Sequence, residues 1–310
     1  MAGLAGLASL AVLTLVACGC SAEFDPSSRV TGLRVLAVKA DSPYASPGST
    51  VQLTALAVDP AGRPLQWGWG TCVDPISSQV ADCIDAVDWS TFEIEPDAPD
   101  HAVTIPPDAI DRMPASARAR ASVGVVTVVC PGDLSVNSPA LSIYATGALP
   151  FTCRDPATGR ALGTDEYVAG VKRILVRDTD RNANPTIAGL TWDGKDWPDS
   201  TIQSASPCST DGNDQAECDD SLLHAVSAVA APGSEEKGVD SFGVSFDEQV
   251  VVEYYATEGI FADDVRIASD PVTKWIARKE SAGRAVTMWM VLRDDRGGVD
   301  WATRTVMVGP

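Results

Sequence analysis

The strongest constraint on this chain is a two-residue apolar period that returns along most of its length. In "TVQLTALAV", Val51, Leu53 and Ala55 alternate with Gln52 and Thr54, and in "LQWGW" Leu65, Trp67 and Trp69 share one side. Successive side chains of a strand point to opposite faces, so this pattern specifies strands with one buried face. Further apolar runs lie at Gly32–Ala40, Ser122–Val129, Val168–Val176, Gln249–Ala256, Val286–Leu292 and Val299–Val308, separated by Pro, Gly and Asp clusters. Short helical turns are expected at Asp108–Arg112 and at Ser221–Ala230, where Leu222, Val226 and Val229 fall on one helical face. They are too short to alternate with strands as a βαβ fold requires. The expected class is all-β, built as sandwiches.

The polar, turn-prone "RDTDRNANP", Arg177–Pro185, divides the pattern into two halves. The first, with "ADSPYASPGSTVQLTALAVDPAGRPLQWGWG", resembles the opening of bacterial Ig-like and PKD-like domains: a Pro/Gly-broken edge, a strand, a turn and a Trp-bearing strand. The second ends "AVTMWMVLRDDRGGVDWATRTVMV", similar to the last hairpin of those domains. The resemblance implies two Ig-like (PKD-like) β-sandwiches, over residues 28–180 and 183–310. Such folds host binding, spacing and enzyme-accessory roles, so they leave the function open.

The first seventeen residues, Met1–Ala17, are apolar and uncharged, shorter than the roughly 20 that span a bilayer, and followed by Glu23 and Asp25 with no basic stop-transfer cluster. They read as a signal peptide, although no Lys or Arg precedes the apolar core. Leu15-Val16-Ala17-Cys18 resembles the lipobox of bacterial lipoproteins. In that family the cysteine thiol receives a diacylglycerol, so the resemblance implies a lipid anchor on Cys18 and residues 18–27 as a tether. Cys20 fits the motif less well, and secretion with cleavage after Ala22 is the alternative. The whole resembles predicted lipoproteins of Gram-negative bacteria, which implies an exported protein held at the outer membrane or cell envelope.

Six cysteines follow the tether: Cys72, Cys83, Cys130, Cys153, Cys208 and Cys218. An even count in an exported chain implies disulfides, with 15 connectivities open. If the strands ending at Cys72 and Cys130 pair antiparallel, those ends lie far apart, and a bridge needs Cα atoms within about 7 Å. Local pairs are therefore expected: Cys72 with Cys83, Cys130 with Cys153, Cys208 with Cys218.

With 42 acidic and 23 basic residues the net charge is −19, which repels a phosphate backbone, so nucleic acid is not an expected partner. The expected partners are the membrane, through the lipid, and an envelope protein or polysaccharide. Asp178, Asp180, Asn182 and Asn184 place oxygen donors at every second position and form a weak calcium set, resembling in part the D-x-N-D-N-x-P linker of cadherins. Ala183 stands where the second Asp would be and Pro185 arrives one residue early, so a turn is expected and no cofactor is required. A second acidic loop, "STDGNDQAECDD", is equally dense in oxygens.

Neither histidine, His101 or His224, lies in a metal or hydrolase motif, and no Walker, Rossmann or G-x-S-x-G pattern occurs. His224 would serve as a base only if a nucleophile and a carboxylate converged on it. The tryptophans, among them Trp67, Trp69, Trp192, Trp197, Trp275, Trp289 and Trp301, suit strand cores better than an exposed sugar platform. The expected function is a non-catalytic binding or structural module, with a secreted hydrolase or carbohydrate-binding accessory protein as the alternative.

Overall fold

The computed structural model describes residues 26–73, 80–137, 147, 149–209 and 218–310. Strands β1 (Arg34–Ala40), β3 (Thr50–Val58) and β6 (Asp100–Thr104) form one sheet of the first sandwich, in the order β1-β3-β6. The other runs β2-β10-β7-β4-β5, from β2 (Tyr44–Ala45), β10 (Val168–Val176), β7 (Ser122–Cys130), β4 (Gln66–Val73) and β5 (Glu93–Pro96). The first strand changes sheets at Asp41–Pro43, so β2 pairs parallel with β10. Between the sheets lie Val51, Leu53, Trp67, Trp69, Val103, Val123, Val125 and Ile174.

The second sandwich repeats this wiring. Its sheets are β12-β11-β14-β20-β18 and β13-β22-β21-β17-β19. The strands are β11 (Ile187–Trp192), β12 (Lys195–Asp196), β13 (Gln203–Ala205), β14 (His224–Ala230), β17 (Val250–Ala256), β18 (Ile260–Phe261), β19 (Val265–Ile267), β20 (Thr273–Ile276), β21 (Ala285–Asp294) and β22 (Val299–Val308). Here β13 pairs parallel with β22, as β2 does with β10. The split first strand in both halves, one part antiparallel in one sheet and one part parallel in the other, makes both Ig-like β-sandwiches. The second core holds Trp192, Trp197, Trp275, Tyr254, Met288, Met290 and Leu292.

The helical expectation at Ser221–Ala230 is corrected. A 3-10 turn over Asp220–Leu222 leads into β14, where Val226 and Ala228 point into the core and Val229 is exposed. The i, i+4 and i+3 spacing of Leu222, Val226 and Val229 arose from a turn abutting a strand. Helix α1 (Val80–Ala86), which the apolar pattern does not announce, carries Cys83 and is tied through it to Cys72 of β4.

The first sandwich carries a third layer. On the outer side of β4, β7 and β10, Val126, Val128, Ile84, Val87 and Phe151 form a second apolar cluster with four of the cysteines. The layer consists of α1 and the hairpin of β8 (Asp133–Val136) and β9 (Phe151–Arg154). All nine residues of β7 are consequently buried, which is why "SVGVVTVVC" carries no charge and only two hydroxyls, Ser122 and Thr127. Cys72–Cys83 and Cys130–Cys153 hold this layer on, with Cα separations of 5.4 and 5.7 Å. Residue 124 is glycine because a Cβ there would stand 2.5 Å from Cys72 Sγ.

The second sandwich is covered on its outer side by the first. A β-bulge between Val35 and Ala37 turns two consecutive residues, Leu36 and Ala37, out of the first core. They pack with Val30 against Trp289, Val291 and Val299 of β21 and β22. The residues before β1 also belong to the second sandwich. Val30 N donates to Ala256 O (2.8 Å), Ala256 N donates to Ser28 O (2.9 Å), and Arg29 pairs with Glu258 at 2.9 Å.

Candidate functional site

The linker Arg177–Pro185 is bonded to both sandwiches. Asp180 accepts from Ser241 N (2.9 Å) and Ser241 Oγ (2.6 Å). Asn182 is buried and donates to Asp294 at 3.2 Å. Asn184 donates to Ala40 O (2.7 Å) and accepts from Val299 N (2.9 Å), stitching one strand of each sandwich to the turn between them. Asp178 is exposed. The weak calcium set therefore does not converge: three of its members bond to protein groups in different directions. Among the described residues no cluster of three or more His, Cys, Asp or Glu side chains could hold a metal. Of the second acidic loop, residues 210–217 lie outside the described residues, while Asp219 caps the 3-10 turn by accepting from Ser221 N at 2.8 Å.

Beside the linker, arginines and aromatic rings interleave. Arg177 lies 5.3 Å from the centre of Tyr44 and 5.7 Å from that of Phe242; Arg296 lies 4.7 Å from Tyr44 and 3.8 Å from Phe246. Phe242 and Phe246 belong to the hairpin of β15 (Lys237–Val239) and β16 (Ser245–Asp247), which reaches from the second sandwich to the first. Arg296 also donates to Tyr44 Oη at 3.0 Å and pairs at 2.9 Å with Glu248, whose carboxyl burial pushes up. Guanidinium stacking between planar rings is worth about 0.5–2 kcal/mol per contact, so this arrangement fixes the angle between the sandwiches.

This fixed arrangement bounds a cleft of about 350 Å³ on the side of the first sandwich, where the edge strand β1 faces the part of β10 that precedes its short pairing with β2 at Leu175–Val176, and β1 and β10 do not pair. Its walls are Val35–Val38, Thr127, Val168–Lys172 and Arg293. Lys172 crosses the domain boundary to donate to Gly297 O at 2.6 Å. Burial pushes its amine down to about 8, and the neighbouring Arg293 adds to the shift. Arg293 pairs with Glu253 at 2.8 Å and donates to Leu36 O, the carbonyl freed by the bulge. Arg293 thus reaches across the interface to cover the exposed edge of β1, while Lys172 reaches out of β10 to the β21–β22 turn.

A second depression, also about 350 Å³, is lined by Ser204, Ser206, Ser221, His224 and Met307. His224 meets a carboxylate there: Asp193 Oδ2 lies 2.9 Å from its Nδ1, while Asp193 Oδ1 accepts from Ala225 N at 2.9 Å. Asp193 sits at the β11–β12 turn with φ of 51°, and the His224 ring stacks 4.5 Å from Trp192. This is an oriented imidazole, with serines in the same depression and no hydroxyl bonded to the ring among the described contacts. His101 lies on the edge strand β6, stacked 5.0 Å from Trp69, and burial pushes its imidazole below the usual range.

Trp67, Trp69, Trp192, Trp197, Trp275 and Trp289 are all buried, and Trp301 is half-buried against the domain interface. The third disulfide joins Cys208 to Cys218, with Cα atoms 5.6 Å apart, just ahead of the 3-10 turn. The three bonds are those expected from local pairing, and they mark an exported protein folded in an oxidising compartment. No helix among the described residues is long and apolar enough to cross a membrane. Cys18 and Cys20 lie outside the described residues. The cleft residues Thr127, Lys172 and Arg293 were missed in the sequence; the one local signal was Lys172, a charge within the apolar run Val168–Val176.

No protein-family model and no curated protein matches the chain. Among solved structures it is similar to the two tandem V-type regions of a v-region-containing chitin binding protein, at 10% identity, over 89% of this chain and 100% of that one, with a TM-score of 0.25.

Proposed function

We propose that this chain is an exported lipoprotein, held at the outer membrane or cell envelope through Cys18, that acts as a rigid, non-catalytic binding or structural module. The observation that supports the binding role is the locked interface: linker, Arg–aromatic stack and apolar seam hold two sandwiches at one angle and leave a walled cleft between β1 and β10. Burial of the tryptophans in the two cores and the interface removes the main support for a carbohydrate platform.

Two measurements test this reading. In a Gram-negative host the protein takes up labelled palmitate, and Cys18→Ser abolishes labelling and membrane retention while Cys20→Ser does not; labelling unchanged by Cys18→Ser sinks the anchor. For the binding role, a photo-cross-linking residue at Val168, in the cleft, gives a discrete adduct in intact envelopes, and one at the exposed Val265 does not. An esterase, peptidase or glycosidase activity lost in His224→Ala would replace this reading with the hydrolase.

A further inference from the structure

The cleft between β1 and β10 contains polar capacity that the fold leaves unused. Thr127 is 4% exposed, and its Oγ1 has no hydrogen-bond partner among the described residues. A buried hydroxyl left unmatched costs about 1–3 kcal/mol, so its persistence calls for a partner that the described residues do not supply. Directly opposite Thr127 in the β7–β10 ladder stands Gly170, and a Cβ built there meets nothing within 4 Å. A strand interior disfavours glycine, which loses entropy and packs nothing, so an empty position at the cleft wall marks room kept for another group.

The charges of the cleft decide which group. Lys172 offers three N–H donors and uses one on Gly297 O; Arg293 offers five and uses its Nε on Glu253 and one terminal nitrogen on Leu36 O. Both cations line the same cavity as Thr127. Two cations in one partly desolvated space repel, and an anion between them relieves that repulsion. The nearby carboxylates are already engaged, Glu253 by Arg293 and Tyr255, and Asp294 by the backbone of Arg296 and Gly298. One negative charge is therefore accommodated better than two. The remaining wall is aliphatic: Val35, Val38 and Val168.

We infer that this cleft binds a small organic monocarboxylate, its carboxylate between Lys172 and Arg293, its oxygens within reach of the Thr127 hydroxyl, and its short apolar body over Gly170 against the valines. The inference rests on the binding-module reading and gives that module its ligand class. At about 350 Å³ the site falls at the small end of ligand pockets, and its mixture of apolar wall and few polar groups is typical of them.

Hexanoate is the probe, hexanamide its uncharged counterpart, and the full mature protein the receptor, followed by calorimetry and by the Thr127 methyl resonance. Hexanoate binds one to one and saturably below 10 mM, with hexanamide at least tenfold weaker. Lys172→Met weakens hexanoate at least tenfold, and Thr127→Val, which keeps shape and removes the hydroxyl, weakens it several-fold while the melting temperature of the unliganded protein holds or rises. Gly170→Val fills the cavity with a strand-compatible side chain and abolishes binding. Absence of saturable binding, equal binding of the amide, or unchanged affinity in both Gly170→Val and Thr127→Val overturns the inference. A cross-linked envelope adduct at Val168 without hexanoate binding removes the ligand class and leaves the module; hexanoate binding without an adduct supports the site and removes the envelope partner.

Discussion

The two sandwiches share a strand order and solve the same problem differently. Each has a long-stranded sheet whose outer side bears apolar residues, Val126 and Val128 in the first, Trp289 and Val291 in the second. The first covers that side with its own chain, α1 and the β8–β9 hairpin, fastened by two disulfides. The second borrows its cover from the first, through Leu36 and Ala37 at the bulge. One half thus covers the outer side of its long-stranded sheet with its own chain and the other does not, a difference that strand topology alone does not disclose.

Cutting the molecule at the linker tests this most severely. Residues 28–180 should remain monomeric with a cooperative melt, whereas residues 183–310 expose Trp289, Val291 and Trp301 and should aggregate or melt far lower than in the whole protein, as seen by size-exclusion chromatography and calorimetry. An isolated second half as stable as the first would erase the comparison. Trp289→Ala is milder: losing a buried aromatic costs about 3–5 kcal/mol, and the melt of the full chain should split into two transitions, the lower from the second sandwich.

Removing Cys130–Cys153 by double substitution to Ala should cost about 3 kcal/mol on loop-closure grounds and act on the first sandwich alone. A smaller effect is expected from pH. The amine of Lys172 titrates near 8 in the folded chain against an ordinary 10.5, so between those values the unfolded chain binds more protons and stability rises with pH. Denaturant titrations at pH 7.5 and 9.5 should show this gain in wild type and its loss in Lys172→Met. The gain is measured against that variant because burial holds Tyr254 and Tyr255 near 12, and their contribution is lost only at higher pH. Calcium should produce the smallest effect: melts in calcium and in chelator should coincide, since Asp180, Asn182 and Asn184 are bonded to Ser241, Asp294, Ala40 and Val299.

Most strands were legible because their signal is local. Val168–Val176 and Val299–Val308 have the bounds that their apolar runs suggest, and the run Ser122–Val129 marks β7 to within one residue, whereas the layer over its outer face is not readable from it. The disulfides followed from strand direction: Cys72 pairs with Gly124 in the ladder while Cys130 pairs with Gln66 at its far end. What escaped was relational. "RVLAVKA" breaks strict alternation at Leu36–Ala37, and nothing nearby says that the break faces a second domain. The cleft assembles Thr127, Lys172 and Arg293 from β7, β10 and β21, and no spacing rule connects them. His224 was judged as a helical residue, so its pairing with Asp193 across neighbouring strands was hidden by a wrong period.

The docking of Ser28–Val30 on β17 has a mechanical consequence. A pull applied at the N-terminus meets the bonds between Val30, Ser28 and Ala256 and the Arg29–Glu258 pair before it reaches β1. The second sandwich, last in sequence, thus receives the load first. As long as those bonds hold, tension bypasses the linker, and the angle between the sandwiches, with the width of the cleft, is insulated from forces applied ahead of Ser28.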